Sequence, residues 1–99
     1  MVLVRNVFRL KFGKPRESAA VLKESVAVQK RLGVAVNQRL FTDLRGPSYT
    51  LVLALRLPYL AAMEATLSKT MGDPDFQASH QKFAALVESG HREILQLVE

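Results

Sequence analysis

Cysteine is absent from this chain of 99 residues. Without cysteine there can be no disulfide framework and no thiolate metal site. No apolar run approaches the roughly 18 residues that a membrane-spanning helix needs. The first residues, Met1 to Arg5, place apolar side chains before the first charge, whereas a signal peptide has the opposite order. We therefore expect one soluble, cytoplasmic domain over residues 1–99 with no membrane partner.

Acidic residues are fewer than basic ones, and the excess of basic residues is uneven along the chain. Fourteen lysines and arginines stand against nine acids, for a formal net charge of +5, and ten of the fourteen lie in residues 1–50. Such asymmetry can indicate an anionic partner. No long cluster of basic residues of the kind that binds nucleic acid appears, however. We expect these basic residues to lie on the exposed side of one helix and at a few strand ends.

Two apolar runs around a Gly-Pro loop predict a β-hairpin, with residues 34–42 paired to residues 49–57. In the second run leucines occupy alternate positions, and Val52 and Ala54 lie between them. Successive side chains of a strand point to opposite faces, so this strand is apolar on both. An antiparallel sheet that is open to water on one side should alternate instead. Something must therefore cover both faces, and the helices can cover one.

The remaining segments complete the order β-α-β-β-α-β. We predict a strand over residues 2–12, a helix over 16–32, a helix over 58–71, a further helix from 73 to about 89 and a last strand over 91–98. The second helical segment breaks at Gly72 and restarts at Asp73-Pro74, because an aspartate N-cap followed by proline is a strong helix start. This order indicates an α+β ferredoxin-like fold with an antiparallel sheet.

Apolar stripes predict which side of each helix is buried. The stripe of the first helix contains Val21, Leu22, Val28 and Leu32, and that of the last contains Phe76, His80, Phe83 and Val87.

The RNA-recognition motif shares this element order but uses aromatic side chains on its third strand to stack on bases. Here the third strand carries leucines, with Tyr49 at its edge. An open leucine face would aggregate, so we predict no nucleic-acid partner. A second copy packed by two-fold symmetry is the simplest cover for the free face. The sequence thus predicts a homodimer.

Residues 4–14 and 72–80 resemble segments of the dimeric α+β-barrel superfamily, and the chain is most similar to its NIPSNAP-like and antibiotic-biosynthesis-monooxygenase-like members. Element order and length match over nearly the whole chain. The resemblance implies a homodimer whose two sheets close a barrel, with a pocket in each subunit between sheet and helices. It implies no particular reaction, since one fold hosts many functions.

Asn6 and His80 are the main candidate residues. Asn6 interrupts the apolar face of strand one, and His80 shares a helical stripe with Phe76 and Phe83, so both are expected between sheet and helices. Haem-degrading members of the superfamily place an asparagine of strand one and a histidine of an F-x-x-x-H pattern at the haem, and these two residues occupy similar places. Those enzymes also use a tryptophan, which this chain lacks. The candidate catalytic residue is His80, and the candidate ligand-binding residues are Asn6, Phe8, Tyr49 and Phe83.

The other polar residues give weaker indications of a functional site. A mononuclear metal site needs three or four convergent ligands, and the pattern offers none, so we predict no metal. His91 is expected to be solvated or at an interface. A basic ladder on the opposite face of strand one is expected to form ion pairs with Glu93 and Glu99; it comprises Arg5, Arg9 and Lys11. A shift of one residue would exchange this ladder with Asn6 in the interior.

Three hypotheses of function follow. The preferred one is a small homodimeric protein that binds a small, largely apolar ligand between sheet and helices, with no resident cofactor. The alternative is a haem-binding or cofactor-independent monooxygenase-like enzyme that uses His80 and Asn6. The second alternative is a non-enzymatic assembly protein. Whether the protein is an enzyme stays open at this stage.

Overall fold

The computed structural model describes residues 1–34 and 37–98. Within these residues the elements are β1 (Val2–Leu10), α1 (Pro15–Arg31), β2 (Gln38–Thr42), β3 (Thr50–Leu57), α2 (Leu60–Met71), α3 (Pro74–Ala84) and β4 (Val87–Gln96). The strands form one antiparallel sheet in the order β2-β3-β1-β4. The predicted α+β ferredoxin-like fold is confirmed. No helix in the described ranges is long and apolar enough to cross a bilayer.

One face of the sheet packs against the helices and holds the core. Strand register aligns Val4 with Leu55 and Phe8 with Leu51 across β1 and β3, which places these side chains on the same face. Asn6 lies in the same row, between Leu53 of β3 and the neighbouring β4. The helix-facing side therefore includes Asn6, as predicted, and its buried residues are Val2, Val4, Leu10, Leu51, Leu53, Leu55 and Leu57.

Helices α1 and α3 pack through polar side chains, which differs from the predicted apolar stripe. The buried positions of α1 are Ser18, Leu22, Ser25 and Gln29. The Ser25 and Ser79 hydroxyls form a hydrogen bond of 2.5 Å between the two helices. Small hydroxyl side chains allow close approach, and pairing removes the cost of burying them. Val21, Val28 and Leu32 are consequently only partly buried.

Several boundaries differ from the prediction. β1 ends at Leu10 because the chain turns at Gly13 (φ 76°), leaving Phe12 exposed. β2 begins at Gln38, whereas the prediction began at residue 34; residues 35 and 36 of that predicted strand lie outside the described residues. The helix expected to reach residue 89 ends at Ala84, because Val87 already pairs with Leu10 in the sheet.

The sequence predicted where helix α3 begins and which glycine ends it, and only the predicted start is confirmed. The Asp73 side chain accepts hydrogen bonds from the backbone N–H groups of Asp75 and Phe76, at 2.9 and 3.1 Å, so the predicted N-cap is confirmed. Gly90, expected to end the helix, lies within β4 instead. A Cβ atom there would lie 3.0 Å from Cδ1 of Phe8, so glycine makes room for that ring.

The other face of the sheet is not covered by a described element. This open face carries the half-buried residues Leu3, Val7, Val52 and Ala54 at its centre, with charged side chains around them. Arg5 and Arg9 of the predicted basic ladder lie on this face, and Arg5 pairs with Glu93 at 2.6 Å, whereas Lys11 follows the end of β1. Glu99, the other expected partner, lies outside the described residues. The open face also contains Arg39, Phe41, Arg56, His91 and Leu95.

Candidate functional site

A cleft of about 430 Å³ lies between the helix-facing side of the sheet and the three helices. It separates two clusters of the hydrophobic core. One cluster contains Val4 and Leu55, and the other contains Leu22, Leu53 and Phe83; residues of both clusters line the cleft. Protein interiors are normally packed to high density with few voids larger than a water molecule. An opening of this size between two parts of one core is therefore a candidate binding site.

Helix α2 accounts for much of the opening. Its buried residues are Thr66 and Thr70, while Leu60 and Met71 remain exposed. The side chains of Met63, Leu67 and Met71 line the cleft on its α2 side. A helix that buries two threonines and directs flexible side chains at a cavity leaves adaptable apolar walls, since methionine fills irregular spaces readily.

A chain of hydrogen bonds borders the cleft on the side of α1. The Gln38 amide donates to Oε1 of Gln29 at 2.5 Å, and the Gln29 amide donates to Oγ1 of Thr70 at 3.3 Å. All three residues line the cleft. No buried side-chain nitrogen or oxygen in the described part of the chain lacks a partner. These groups consequently stabilise the arrangement of α1, α2 and β2 around the cavity.

His80 lines the cleft, but it is exposed and not buried as predicted. The reason is the rotation of α3: the residues it buries are Ser79 and Phe83, four positions apart on one face. This rotation places His80 at the margin of the cleft. Its ring stacks on Phe76 with centroids 5.9 Å apart and planes at 18°. Val87, also expected on this helical stripe, belongs to β4.

Phe8 and Phe83 form the aromatic wall between β1 and α3. Their centroids are 4.8 Å apart and their planes meet at 83°, an edge-to-face pair. Both rings line the cleft, and both also line a shallow hollow of about 420 Å³ that continues toward Val87 and Gly90 at β4. The cleft and this hollow share Asn6 and His80 as well, so these residues mark the mouth of the cleft.

Asn6 lies at this mouth and is joined to Arg92, a residue that the sequence reasoning missed. Nε of Arg92 donates to Oδ1 of Asn6 at 2.8 Å, and the two residues are opposite each other in the β1–β4 register. Arg92 lines both the cleft and the hollow. A signal did exist: once β4 pairs with β1, an arginine between His91 and Glu93 must face the side opposite to both.

The structure thus brings together most of the predicted site. Asn6, Phe8, His80 and Phe83 all line the cleft. Tyr49 does not; its ring packs edge-to-face on Phe12, with centroids 5.4 Å apart. Tyr49 has a φ of 62° and lies one residue before β3, where the hairpin loop directs the chain away from the cleft.

Where the structure describes the chain, His91 and the acidic side chains do not form a further site. His91 faces the open side of the sheet, where its side chain is 63% exposed and Nε2 lies 3.6 Å from Oε2 of Glu93. Across residues 1–34 and 37–98 no three acidic or histidine side chains gather in a way that could hold a metal ion.

Haem fits the described residues poorly. A haem iron would need the imidazole of His80 as an axial ligand with the macrocycle beside it. That imidazole is stacked on the Phe76 ring, and Asn6 is already hydrogen-bonded to Arg92 at the same mouth. The polar border of Gln29, Gln38 and Thr70 is also unlike a haem pocket, whose walls are mainly apolar. The geometry favours a smaller ligand.

No known protein-family model and no curated protein matches this sequence. Solved structures do match its fold. A NIPSNAP family protein from Agrobacterium tumefaciens superposes with a TM-score of 0.89 at 21% identity, covering 99% of this chain and 93% of that one. A NIPSNAP domain protein from Burkholderia xenovorans gives 0.84 at 18% identity, covering 99% and 95%.

A third similar structure is SnoaB, a cofactor-independent oxygenase from Streptomyces nogalater, with a TM-score of 0.75 at 19% identity over 99% of this chain and 93% of that one. The resemblance to NIPSNAP-like and antibiotic-biosynthesis-monooxygenase-like proteins is therefore confirmed at the level of the fold. Identities this low carry no activity from one protein to another, because one fold supports unrelated functions.

Proposed function

We propose that this protein binds a small, largely apolar molecule in the cleft between its sheet and helices. The observation that carries the proposal is the cavity of about 430 Å³ between two halves of the core, with apolar walls and a few polar groups at one end. Its volume is within the range of small-molecule sites, roughly 300–1,000 Å³, and ligand pockets combine apolar walls with few polar groups in this way.

The polar groups at the mouth give the ligand an orientation. The apolar part of the ligand lies against Met63 and Leu67, and its polar part lies at Asn6 and His80. An imidazole at that position can donate a hydrogen bond to the ligand or accept one from it. His80 is therefore the residue that would carry chemistry if the ligand is also a substrate.

A homodimer formed through the open face is the second part of the proposal. The half-buried centre of that face, Val7, Val52 and Ala54, is surrounded by exposed apolar side chains at its edges, including Phe41 (54% exposed) and Leu95 (45% exposed). An apolar centre with a charged rim is the usual composition of a protein interface. Packing two such faces together would bury on the order of 800 Å² per subunit, enough for a stable dimer.

Native mass spectrometry of the protein purified from its own host tests both parts in one measurement. The expected result is a dimer that retains a small molecule. A bare dimer that also binds no apolar probe would contradict the ligand-binding part of the proposal and favour an assembly protein. A monomer would contradict the proposed dimer.

A cavity-filling variant locates the ligand. Met63→Trp enlarges a side chain that lines the cleft and should weaken binding of the uncharged probe Nile red by roughly tenfold or more. Leu60→Trp is the matched control, because Leu60 is on the same helix, is 51% exposed and does not line the cleft. Fluorescence titration measures both. Equal binding by the two variants would show that the probe binds elsewhere.

His80→Ala tests the chemistry at the mouth. We expect the fold to survive, because the side chain is exposed, while retention of the host ligand decreases. Titration with haem is a parallel measurement: a Soret band that disappears in His80→Ala would revive the haem alternative, against our expectation.

A further inference from the structure

Arg92 is an unusual residue for its position in the sheet. It lies on the helix-facing side of β4, in the row that contains Asn6 of β1 and Leu53 of β3. A charged side chain in such a row is costly to bury, so it is kept at the rim where its head reaches water. Arg92 is exposed and still lines the cleft. Among the described residues that line the cleft, Arg92 is the one lysine or arginine, and it shares the mouth with His80.

The hydrogen bond to Asn6 orients the Arg92 guanidinium. Arginine has five N–H donors in a planar fork, and here Nε–H donates to Oδ1 of Asn6 at 2.8 Å. This bond occupies the Nε–H group, so the N–H groups of both terminal nitrogens remain for a ligand. Paired terminal N–H groups match the two oxygens of a carboxylate or a similar oxyanion.

No carboxylate of the described residues is within ion-pairing distance of Arg92. Arg5 and Arg31, by contrast, pair with Glu93 at 2.6 Å and with Asp75 at 3.2 Å. Arg16, Arg39 and Arg56 also lack an ion pair among the described residues, but they do not line the cleft, whereas Arg92 does. Asn6 would be the natural place for a counter-ion, and it is a neutral amide. A cleft that opens beside an oriented, uncompensated guanidinium is suited to an anion.

We propose that the ligand of the cleft is an amphiphilic organic acid. Its anionic head, a carboxylate or an equivalent oxyanion, binds Arg92, and its apolar body extends between α2 and the sheet toward Met63 and Leu67. Asn6 is a positioning residue that holds the guanidinium plane toward the cleft. This inference rests on the proposed function, since it assigns the chemical class of the molecule that the cleft binds.

A matched pair of probes tests the inference on the intact protein. Decanoate and decanol have the same chain length and differ at the head group; near pH 7 decanoate is ionised. Displacement of Nile red gives the affinity of each. We expect decanoate to bind roughly tenfold more tightly than decanol, or better, because its carboxylate forms a charge-assisted hydrogen bond with Arg92. The preference should decrease as salt is added, because the mouth is open to solvent.

Substitutions assign the preference to Arg92. Arg92→Gln should reduce decanoate binding to the level at which the same variant binds decanol. Arg16→Gln is the control, because it removes the same charge from an exposed position of α1 away from the cleft and should preserve the preference. Arg92→Lys, which keeps the charge but loses the fork, should restore part of it.

Asn6→Asp distinguishes a role of Asn6 in orienting Arg92 from a purely structural role. The new carboxylate would keep the contact with Arg92 but neutralise it, so the preference for decanoate should be lost while thermal stability is maintained. Asn6→Ala should weaken the preference only in part, because the guanidinium is then present but less well oriented.

The outcomes distinguish the inference from the proposal on which it rests. Equal binding of decanoate and decanol, or a preference that survives Arg92→Gln, would overturn the acidic ligand and leave an apolar cleft. Failure of decanoate, decanol and Nile red to bind at all would overturn the proposed function, and the inference with it.

Discussion

The two faces of the sheet differ in how they use apolar side chains. On the helix-facing side β3 presents leucines, all of them buried, among which Leu51 is 2% exposed. On the open face the same strand presents Val52 and Ala54, which are half-buried, and these lie beside the arginines of β1 and β3. Large aliphatic side chains fill a core, whereas smaller ones with charge around them suit contact with another surface.

The covered face is itself divided, and this division locates the cleft. Asn6 and Arg92 form a polar pair on a side whose buried residues are apolar, and the pair borders the gap between the two core clusters. Leucine-rich packing continues on both sides of the pair. The comparison teaches that the placement of a few polar side chains, more than total hydrophobicity, distinguishes core, binding site and interface on one sheet.

The largest expected effect is on the covered face. Leu51→Ala removes a fully buried side chain and should lower the free energy of unfolding by about 3 kcal/mol, the usual cost of a leucine cavity. Val52→Ala, the next residue and on the open face, should cost less than half as much in dilute protein. Denaturant unfolding measures both. Equal losses at low concentration would contradict a difference between the faces.

The second prediction concerns the use of the open face. Val52→Lys places a charge in the centre of the proposed interface and should weaken dimerisation roughly hundredfold, about 2.7 kcal/mol. The cost arises because each copy would bury an unpaired ammonium group. Sedimentation equilibrium measures the oligomeric state, and circular dichroism checks the fold. Ala61→Lys adds the same charge on an exposed helical position as a control. A dimer that tolerates Val52→Lys would need a different surface.

The third prediction concerns the point where the cleft meets β4. Gly90→Ala would place Cβ 3.0 Å from Cδ1 of Phe8 and 3.3 Å from the backbone oxygen of Val7. The Val7 oxygen is fixed in the sheet, so the Phe8 ring, which lines the cleft, must shift by a few tenths of an ångström. We expect a loss of about 1 kcal/mol in unfolding free energy and weaker binding of Nile red. Ser89→Ala is the neighbouring control. Unchanged probe binding would show that Phe8 does not shape the cleft.

Much of the fold was predictable because its signals are local. Alternation in β1, the apolar run of β3, the N-cap at Asp73 and the glycine after the first helix each act within a few residues. These features depend on side-chain period and backbone preference, which a sequence displays directly. The face of β1 was less certain, because Asn6 and the Arg5 ladder competed for the interior; pairing with β3 and β4 places Asn6 toward the helices.

The site was predictable only in part, because it depends on how distant segments align. His80 and Asn6 do meet at one cleft, but the exposure of His80 is set by Ser79, whose bond to Ser25 rotates α3. The role of Arg92 requires the register of β4 on β1. That register starts at Val87, inside the stretch predicted as helix. Periodicity describes each element separately, and packing between elements decides these positions.

The smallest expected effect distinguishes a solvated open face from a covered one. Arg5 and Glu93 are paired at 2.6 Å, and their side chains are 39% and 36% exposed. If that face remained in water, a double-mutant cycle of Arg5→Gln and Glu93→Gln should give a coupling of about 0.5 kcal/mol that disappears in high salt. In the proposed dimer the pair is shielded, so we expect the coupling to exceed that value above the dimerisation concentration and to resist salt. Below it, where Val52→Lys provides the monomer reference, the coupling should return to the solvated value. A coupling that is weak and salt-sensitive at every concentration would mean that this face stays open to water.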